Sequence, residues 1–365
     1  KRSSQQQAAH DDFTQYADQP GEPLIGDFLI SGPRTSYAWL NGKAIYTYTY
    51  KNQGGNMIPV KKIYTRYTQD PRVNNTYNSY LTNQKYVAMA TWEPPIQYQF
   101  DAYDLLVYSY LQRWMYADSV ISVTYDQSGV NQVTDTVVTV YGNPAHALPT
   151  QVSSSASDFS VEKMNYFYPY DTVFSGNPET ARKALISKYI ISPILLNVKT
   201  KSGDTVYVER TDYNVFPNGL VLPQFHNLQI ANNPIAPRLQ MYGYNNSGKL
   251  LEDSKIQDAH NSYIWDYHSM YPVAQVVGAV QSNIAYTSFE ADGSGNWIIP
   301  DTTRNRAASI TGSCSYNLKS SNTITSSTLN NSTTYLVSYW SMGGALNVNG
   351  TSGTAGKTIG AWTFY

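Results

Sequence analysis

Hydrophobic and polar side chains alternate with a two-residue period along much of this chain from Leu24 onward. Successive side chains of a strand point to opposite faces, so that period marks β structure. Ala44–Tyr50 is the plainest case: Tyr46, Tyr48 and Tyr50 share one face, and Ile45, Thr47 and Thr49 the other. Gln53-Gly54-Gly55-Asn56 then predicts a tight turn into Ile58–Tyr67, and so a hairpin. Both faces of Ala44–Tyr50 carry β-favouring side chains, which predicts a sheet covered on both sides.

Residues 70–95, bounded by Asp70-Pro71 and Pro94-Pro95, lose the alternation and are expected as a short helix or a long loop. Over Ile96–Asp126, Tyr98/Phe100 and Tyr108/Tyr110 keep period two and favour strands, although Leu105, Leu106 and Leu111 would also fit a helix. Gln132–Tyr141, Gln151–Ser157 and Phe159–Tyr170 read as further strands, and Leu195–Lys201 with Thr205–Tyr213 as a hairpin. One short helix is predicted near 178–190. Asn177 would cap it, Pro178 fits its first position, and Glu179 suits its positive end. Ala181, Leu185 and Tyr189 form its apolar stripe, with Ile186 and Ile190 beside them, and Ser192-Pro193 stops it. A stretch punctuated by Pro217, Pro223, Pro234 and Pro237 follows.

Met241–Glu290 joins two regimes and organises the rest. Tyr242 and Tyr244 lead into the turn Asn245-Asn246-Ser247-Gly248, Lys249–Glu252 leaves it, Tyr263–Tyr267 alternates again, and Tyr271-Pro272-Val273 restarts the chain after a break. Beyond Ile284 the chain becomes rich in Gly, Ser, Thr and Asn, with strands expected near Ala307–Thr311, Tyr335–Tyr339 and Thr358–Phe364. The expected organisation is a polar tail or linker at 1–23, a tyrosine-rich β region at 24–284, and a second β region at 285–365.

Tyr125-Asp126-Gln127-Ser128-Gly129 and Tyr244-Asn245-Asn246-Ser247-Gly248-Lys249-Leu250, with Ser262–Tyr267 and Tyr271–Ala274, resemble the unit of the YD-repeat (Rhs-like) proteins, most closely their cell-surface relatives in Bacteroidota. Asn245 stands where that family usually has aspartate. The resemblance covers roughly residues 20–290 and implies an all-β, mainly antiparallel fold, a stacked β-sheet shell whose tyrosines fill the seams between rungs. Thr287–Glu290, Gly295-Asn296-Trp297 and Tyr335–Trp340 resemble a jelly-roll β-sandwich of the carbohydrate-binding type, incomplete at Tyr365. What this implies is a non-enzymatic scaffold or interaction protein, secreted or at the cell surface, serving adhesion, a surface fibre or cargo encapsulation. A carbohydrate-binding module and an Rhs-type toxin carrier are the alternatives.

The bulk numbers narrow the classes. A net charge of −1 with 14% charged residues gives no electrostatic case for nucleic acid or anionic membrane. Thirty-three tyrosines suit half-buried pleated surfaces, where the ring packs and the hydroxyl stays wet. The single cysteine, Cys314, excludes an internal disulfide and a cysteine-based zinc site. No apolar run approaches the ~18 residues of a spanning helix, and Lys1–Gln5 lacks the apolar core of an intact secretory signal. The strand-like ending Ala361–Tyr365 leads us to expect a segment of a longer polypeptide, with partners that are proteins, further parts of its own chain, or glycans.

Candidate chemistry is sparse. There is no G-x-S-x-G elbow and no H-E-x-x-H. His10, His146, His226, His260 and His268 are scattered, the last two eight apart in one β segment. The tyrosine ladder is either core or a surface that stacks on sugars or another protein's aromatics. Trp297 and Trp340 are candidate sugar platforms, Tyr339 and Trp340 pointing to opposite faces of a strand. Glu290, Asp292 and Asn296 put oxygens around a glycine-rich turn, a candidate structural calcium site although calcium needs about six oxygens or more. No other cofactor is implied. Ser119, Thr136, Thr172, Thr205 and Thr302, each following an aspartate, resemble acceptors of Bacteroidota protein O-glycosylation, or simply start strands.

Overall fold

A computed structural model describes residues 24–25, 39, 41–84, 103–155, 160–291, 293–300, 304–319 and 323–365, and of 24–25, 83–84 and 103–106 the backbone. It is mostly antiparallel β, with one α-helix among the described residues, a large multi-strand sheet and smaller sheets. Two compact units divide the chain, Lys1–Asp171 with Asn197–Tyr207 and Thr172–Leu196 with Val208–Tyr365.

The first unit contains β1 (Leu24–Ile25), β2 (Tyr46–Gln53), β3 (Asn56–Gln69), β4 (Asn75–Gln84), β5 (Tyr103–Gln112), β6 (Met115–Tyr125), β7 (Gln132–Val140), β8 (Gln151–Ser155), β9 (Val161–Phe167) and most of β10 (Leu196–Lys201). Strands run in the order β2-β3-β6-β7-β8-β9-β10, and β1-β5-β4 make a separate sheet. The Gly54-Gly55 hairpin forms as expected, with Gln53 opposite Asn56 and φ of 60° and 88° at the glycines. Between β3 and β4 there is a single 3-10 turn at Pro71–Val73, so β4 is a strand where a helix or loop was expected. Its Asn-Thr-Tyr-Asn-Ser-Tyr pattern is polar on both faces and carries no hydrophobic period; ten residue pairs with β5 hold it. The strand reading of Ile96–Asp126 holds where it is described, from Tyr103 on.

The second unit contains helix α1 (Asn177–Ser187), the end of β11 (Asp204–Val215), β12 (Val221–Ile230), β13 (Ala236–Tyr244), β14 (Leu250–Lys255), β15 (Asn261–Asp266) and β16 (Tyr271–Val277), each strand beside its successor. β12 occupies part of the proline-punctuated stretch: Pro223 lies near its start, and its carbonyl accepts the Tyr244 hydroxyl at 2.8 Å. The core gathers under α1, where fully buried Ala181 and Leu185 meet Leu195 and Val221, with Phe174, Ala184 and Tyr213 around them. Burying the leucine and valine side chains stabilises by about 1.5–3 kcal/mol each. Gly176, not Asn177, caps the helix, and no side chain bonds there; the Glu179 carboxylate instead accepts the Phe174 N–H at 3.0 Å and meets Arg182 at 2.7 Å. Tyr189 leaves the predicted stripe. It lies beyond the helix at φ 57°, 86% exposed, while Ile190 N–H returns to the Leu185 carbonyl at 2.9 Å and Tyr189 N–H to that of Ile186 at 3.0 Å. That pair of bonds is a Schellman closure with tyrosine in the place glycine usually takes.

After Val277 the strands are short: β17 (Trp340–Ser341), β18 (Asn347–Val348), β19 (Thr351–Ser352), β20 (Thr358–Ile359) and β21 (Trp362–Phe364), in the sheets β17-β21-β20 and β18-β19. The strand expected at Ala307–Thr311 does not form; Asn305 and Ser315 make an isolated bridge beside it. At Tyr335–Tyr339 the expected strand reduces to Tyr339, which exchanges both backbone bonds with Tyr365. Short polar side chains take the backbone groups a ladder would need: Asn305 Oδ1 accepts Ala307 N–H, Ser315 Oγ donates to the Ala308 carbonyl, and Asn330 Oδ1 accepts Ser332 N–H.

Candidate interaction surface

β2 ends its sheet, and all eight of its residues are exposed. This corrects the expectation of a strand covered on both sides: among the described residues nothing lies beside its outer edge. The reason is local, since Tyr and Thr satisfy β propensity without requiring burial. Tyr46, Tyr48 and Tyr50 are 55%, 50% and 51% exposed. Their rings stack in sequence at 6.2 Å, with planes 19° and 16° apart, and Tyr64 of β3 closes on Tyr46 at 4.9 Å. Tyr77, Tyr80 and Tyr110 of the smaller sheet are exposed as well, whereas Tyr168 is fully packed. These rings are surface, not the seams of a shell.

Lys62 lies over both Tyr46 and Tyr48, 5.6 Å from each ring centre, a cation–π arrangement. The β2–β3 hairpin also carries Lys51, Lys61 and Arg66 and has no aspartate or glutamate between Tyr46 and Gln69. Arg66 is held at 2.7 Å by Asp118 of β6, so the lysines make the residual charge. The surface is aromatic, cationic and bounded by open backbone.

The Tyr-Asp/Asn turns have a definite structure. Asp126 Oδ1 accepts the N–H groups of Ser128 and Val130 at 3.1 and 3.0 Å, and Gly129 N–H returns to the Asp126 carbonyl at 3.1 Å. Asn245 repeats this: Oδ1 accepts Ser247 and Lys249 N–H at 3.0 and 2.9 Å, and Gly248 N–H returns at 2.9 Å. Gly129 and Gly248 have φ of 75° and 74°, a conformation that favours glycine. Hydrogen bonds from Ser128 and Asn131 hold the Asp126 carboxyl well below its ordinary range. Phe216–Leu220 makes the same backbone turn, with Gly219 at φ 76° and Asn218 as acceptor for Leu220 N–H; Val215-Phe216 stands where the other two turns have Tyr125-Asp126 and Tyr244-Asn245, which hid it in the sequence. In the second unit the turns are tied in series: Asn218 donates to the Asn245 carbonyl at 3.0 Å, and Asn245 donates to Ser269 Oγ at 3.1 Å.

The remaining candidates lie apart from this surface. Trp340 is half-buried against Phe364, and Trp297 is half-buried in a loop. The Glu290 carboxylate accepts Ser313 and Cys314 N–H at 2.9 and 2.6 Å, bonds that hold its pKa low. Asn296 Nδ2 donates to the Ile284 carbonyl at 2.9 Å, and Asp292 lies outside the described residues. Among the described residues no cluster of three His, Cys, Asp or Glu could hold a metal ion. Ser119 is buried in β6 and donates to Asp118; Thr136 is half-buried in β7, Thr205 in β11 and Thr172 just after a turn, and Thr302 lies outside the described residues.

His260 and His268 flank opposite ends of β15, the latter at φ 58° in a turn. His260 Nδ1 is 2.6 Å from Glu252 Oε1, and its ring stacks on Tyr242 at 4.7 Å. His146, whose exposure is 7%, accepts Leu148 N–H at Nδ1 and so directs Nε2–H to Asp171, 2.9 Å away. Its pairing was not legible because 25 residues separate the partners. A cavity of about 400 Å³ lies against Val173, Phe174, Ser175, Pro178 and Arg210. Asp212 engages Arg210 there at 2.8 Å.

Comparison with protein-family models, with curated proteins and with solved structures gives no match. Among the described residues no helix is long and apolar enough to cross a membrane.

Proposed function

We propose that this chain is a non-enzymatic scaffold and interaction protein of YD-repeat type, a segment of a larger secreted or cell-surface protein in a member of the Bacteroidota. The observation that carries this is the recurrence of one acceptor-clamped turn at Asp126 and Asn245, each closing a hairpin of an antiparallel meander. Repeated hairpins of this kind gain stability by stacking on neighbours, which favours long assemblies that display surface rather than enclose a reaction centre. The exposed Tyr46–Tyr48–Tyr50 ladder supplies a surface of the kind such a scaffold presents to a protein partner. The test is protease shaving of intact producing cells, with immunodetection of the shaved, secreted and cytosolic fractions. Release from the surface or recovery from the medium is expected; confinement to the cytosol overturns the reading.

A further inference from the structure

We infer that the outer edge of β2 is a strand-addition site for an extended, acidic and aromatic peptide segment. The inference deepens the scaffold reading by naming the chemistry of a partner, but its geometry stands on β2 alone. Thr65 N–H donates to the Ile45 carbonyl at 2.9 Å, and Tyr46 lies opposite Tyr64. In an antiparallel ladder the inward-bonding residues alternate, so Thr47 and Thr49 bond toward β3 while the N–H and C=O of Tyr46 and Tyr48 face outward. The residues that present rings to solvent are therefore the ones whose backbone points to the side where no described strand lies. Such an edge is a template for another strand, and natural sheets normally blunt it with a proline, a charge such as lysine, a bulge or a covering element. In β2 the charge, Lys51, and the bulge after Thr49 lie toward the turn end, and the Tyr46–Thr49 stretch has no proline and no charge.

The pitch of the ladder selects its occupant. Rings on residues i, i+2 and i+4 repeat at 6.2 Å, close to the about 6.6–6.8 Å repeat of alternate side chains on a second strand. An added strand thus sets its own alternate residues beside Tyr46 and Tyr48 as cross-strand pairs, for which aromatic partners are favoured. Lys51 and Lys61 share the opposite face with Thr47 and Thr49, with no acid in the hairpin, and there they call for carboxylates at the intervening positions of the added strand. Main-chain bonds would supply affinity, and the alternating rings and lysines the selectivity.

The probe is a fluorescein-labelled peptide of the length of β2, alternating tyrosine and glutamate, titrated with the full chain and read by anisotropy. Saturable binding is expected, weakening as salt rises. The same peptide N-methylated at alternate residues keeps every side chain but cannot extend the ladder. Losing two hydrogen bonds lowers affinity by about tenfold or more. Replacing glutamate by lysine in the peptide should weaken binding too, and Tyr48→Ala in the protein should reduce it with the circular dichroism unchanged. Equal binding of the N-methylated peptide overturns strand addition. So does absence of peptide binding, including the case where a sulfated glycan chain binds instead. Neither result bears on where the protein resides, which the shaving experiment decides separately.

Discussion

Asn245 offers the sharpest test of the clamped turn. Replacing it by alanine removes the Oδ1 acceptor of Ser247 and Lys249 N–H and the donor to Ser269 Oγ, three bonds of 3.0, 2.9 and 3.1 Å. A hydrogen bond contributes about 0.5–1.5 kcal/mol net, and the Ser247 N–H can rehydrate, so the expected loss is about 2 kcal/mol. Asn245→Asp retains the acceptor in the form found at Asp126, and Ser269 Oγ can turn to donate, so it should stay within about 1 kcal/mol of the parent. Asn246→Ala in the same turn is the control and should be near neutral. The assay is urea unfolding followed by tryptophan fluorescence, with Trp265 two strands away as reporter. Equal midpoints for Asn245→Ala and Asn246→Ala, with equal slopes, would refute the clamp.

Other outcomes follow from the helix. Leu185→Ala empties a fully buried position between Ala181, Leu195 and Val221 and should cost about 2–5 kcal/mol in the same assay. Tyr189→Gly should stabilise by about 0.5–1 kcal/mol, because a left-handed residue with a side chain costs about 1–2 kcal/mol and glycine returns part of that gain as unfolded-state entropy; a loss of stability would contradict the Schellman assignment. Glu179 has its pKa lowered from 4.5 to about 2, first by the Arg182 hydrogen bond and then by the Phe174 N–H. Its contribution is therefore present above pH 4.5 and fades as pH falls toward 2, so Glu179→Gln should flatten the acid limb of a stability–pH curve in that window.

Alternation made the meander readable, because Tyr, Thr and Val at period two show strand and face together. The Gly54-Gly55 hairpin, the β10–β11 hairpin and β13–β16 were visible this way. Polar β4 and proline-bearing β12 were not, since their partners rather than their own patterns hold them in the sheet. The tyrosines misled in a specific manner: propensity makes Tyr46–Tyr50 a strand, but only the position of β2 at the sheet's end decides that its rings are wet. The turn motif was legible at Asp126 and Asn245, where side chain and glycine both appear, and hidden at Phe216–Leu220, where the backbone repeats with phenylalanine in the place of the aspartate or asparagine. Side-chain pairs distant in sequence, such as His146 with Asp171, left no local signal at all.

Among the described residues no strand lies beside the outer edge of β2. Residue-resolved amide hydrogen exchange on the free chain reads that edge directly: Thr47 and Thr49, bonded toward β3, should be protected, while Tyr46 and Tyr48 exchange at rates close to those of an unstructured peptide. Protection of Tyr46 and Tyr48 equal to that of the threonines would mean the edge is already filled.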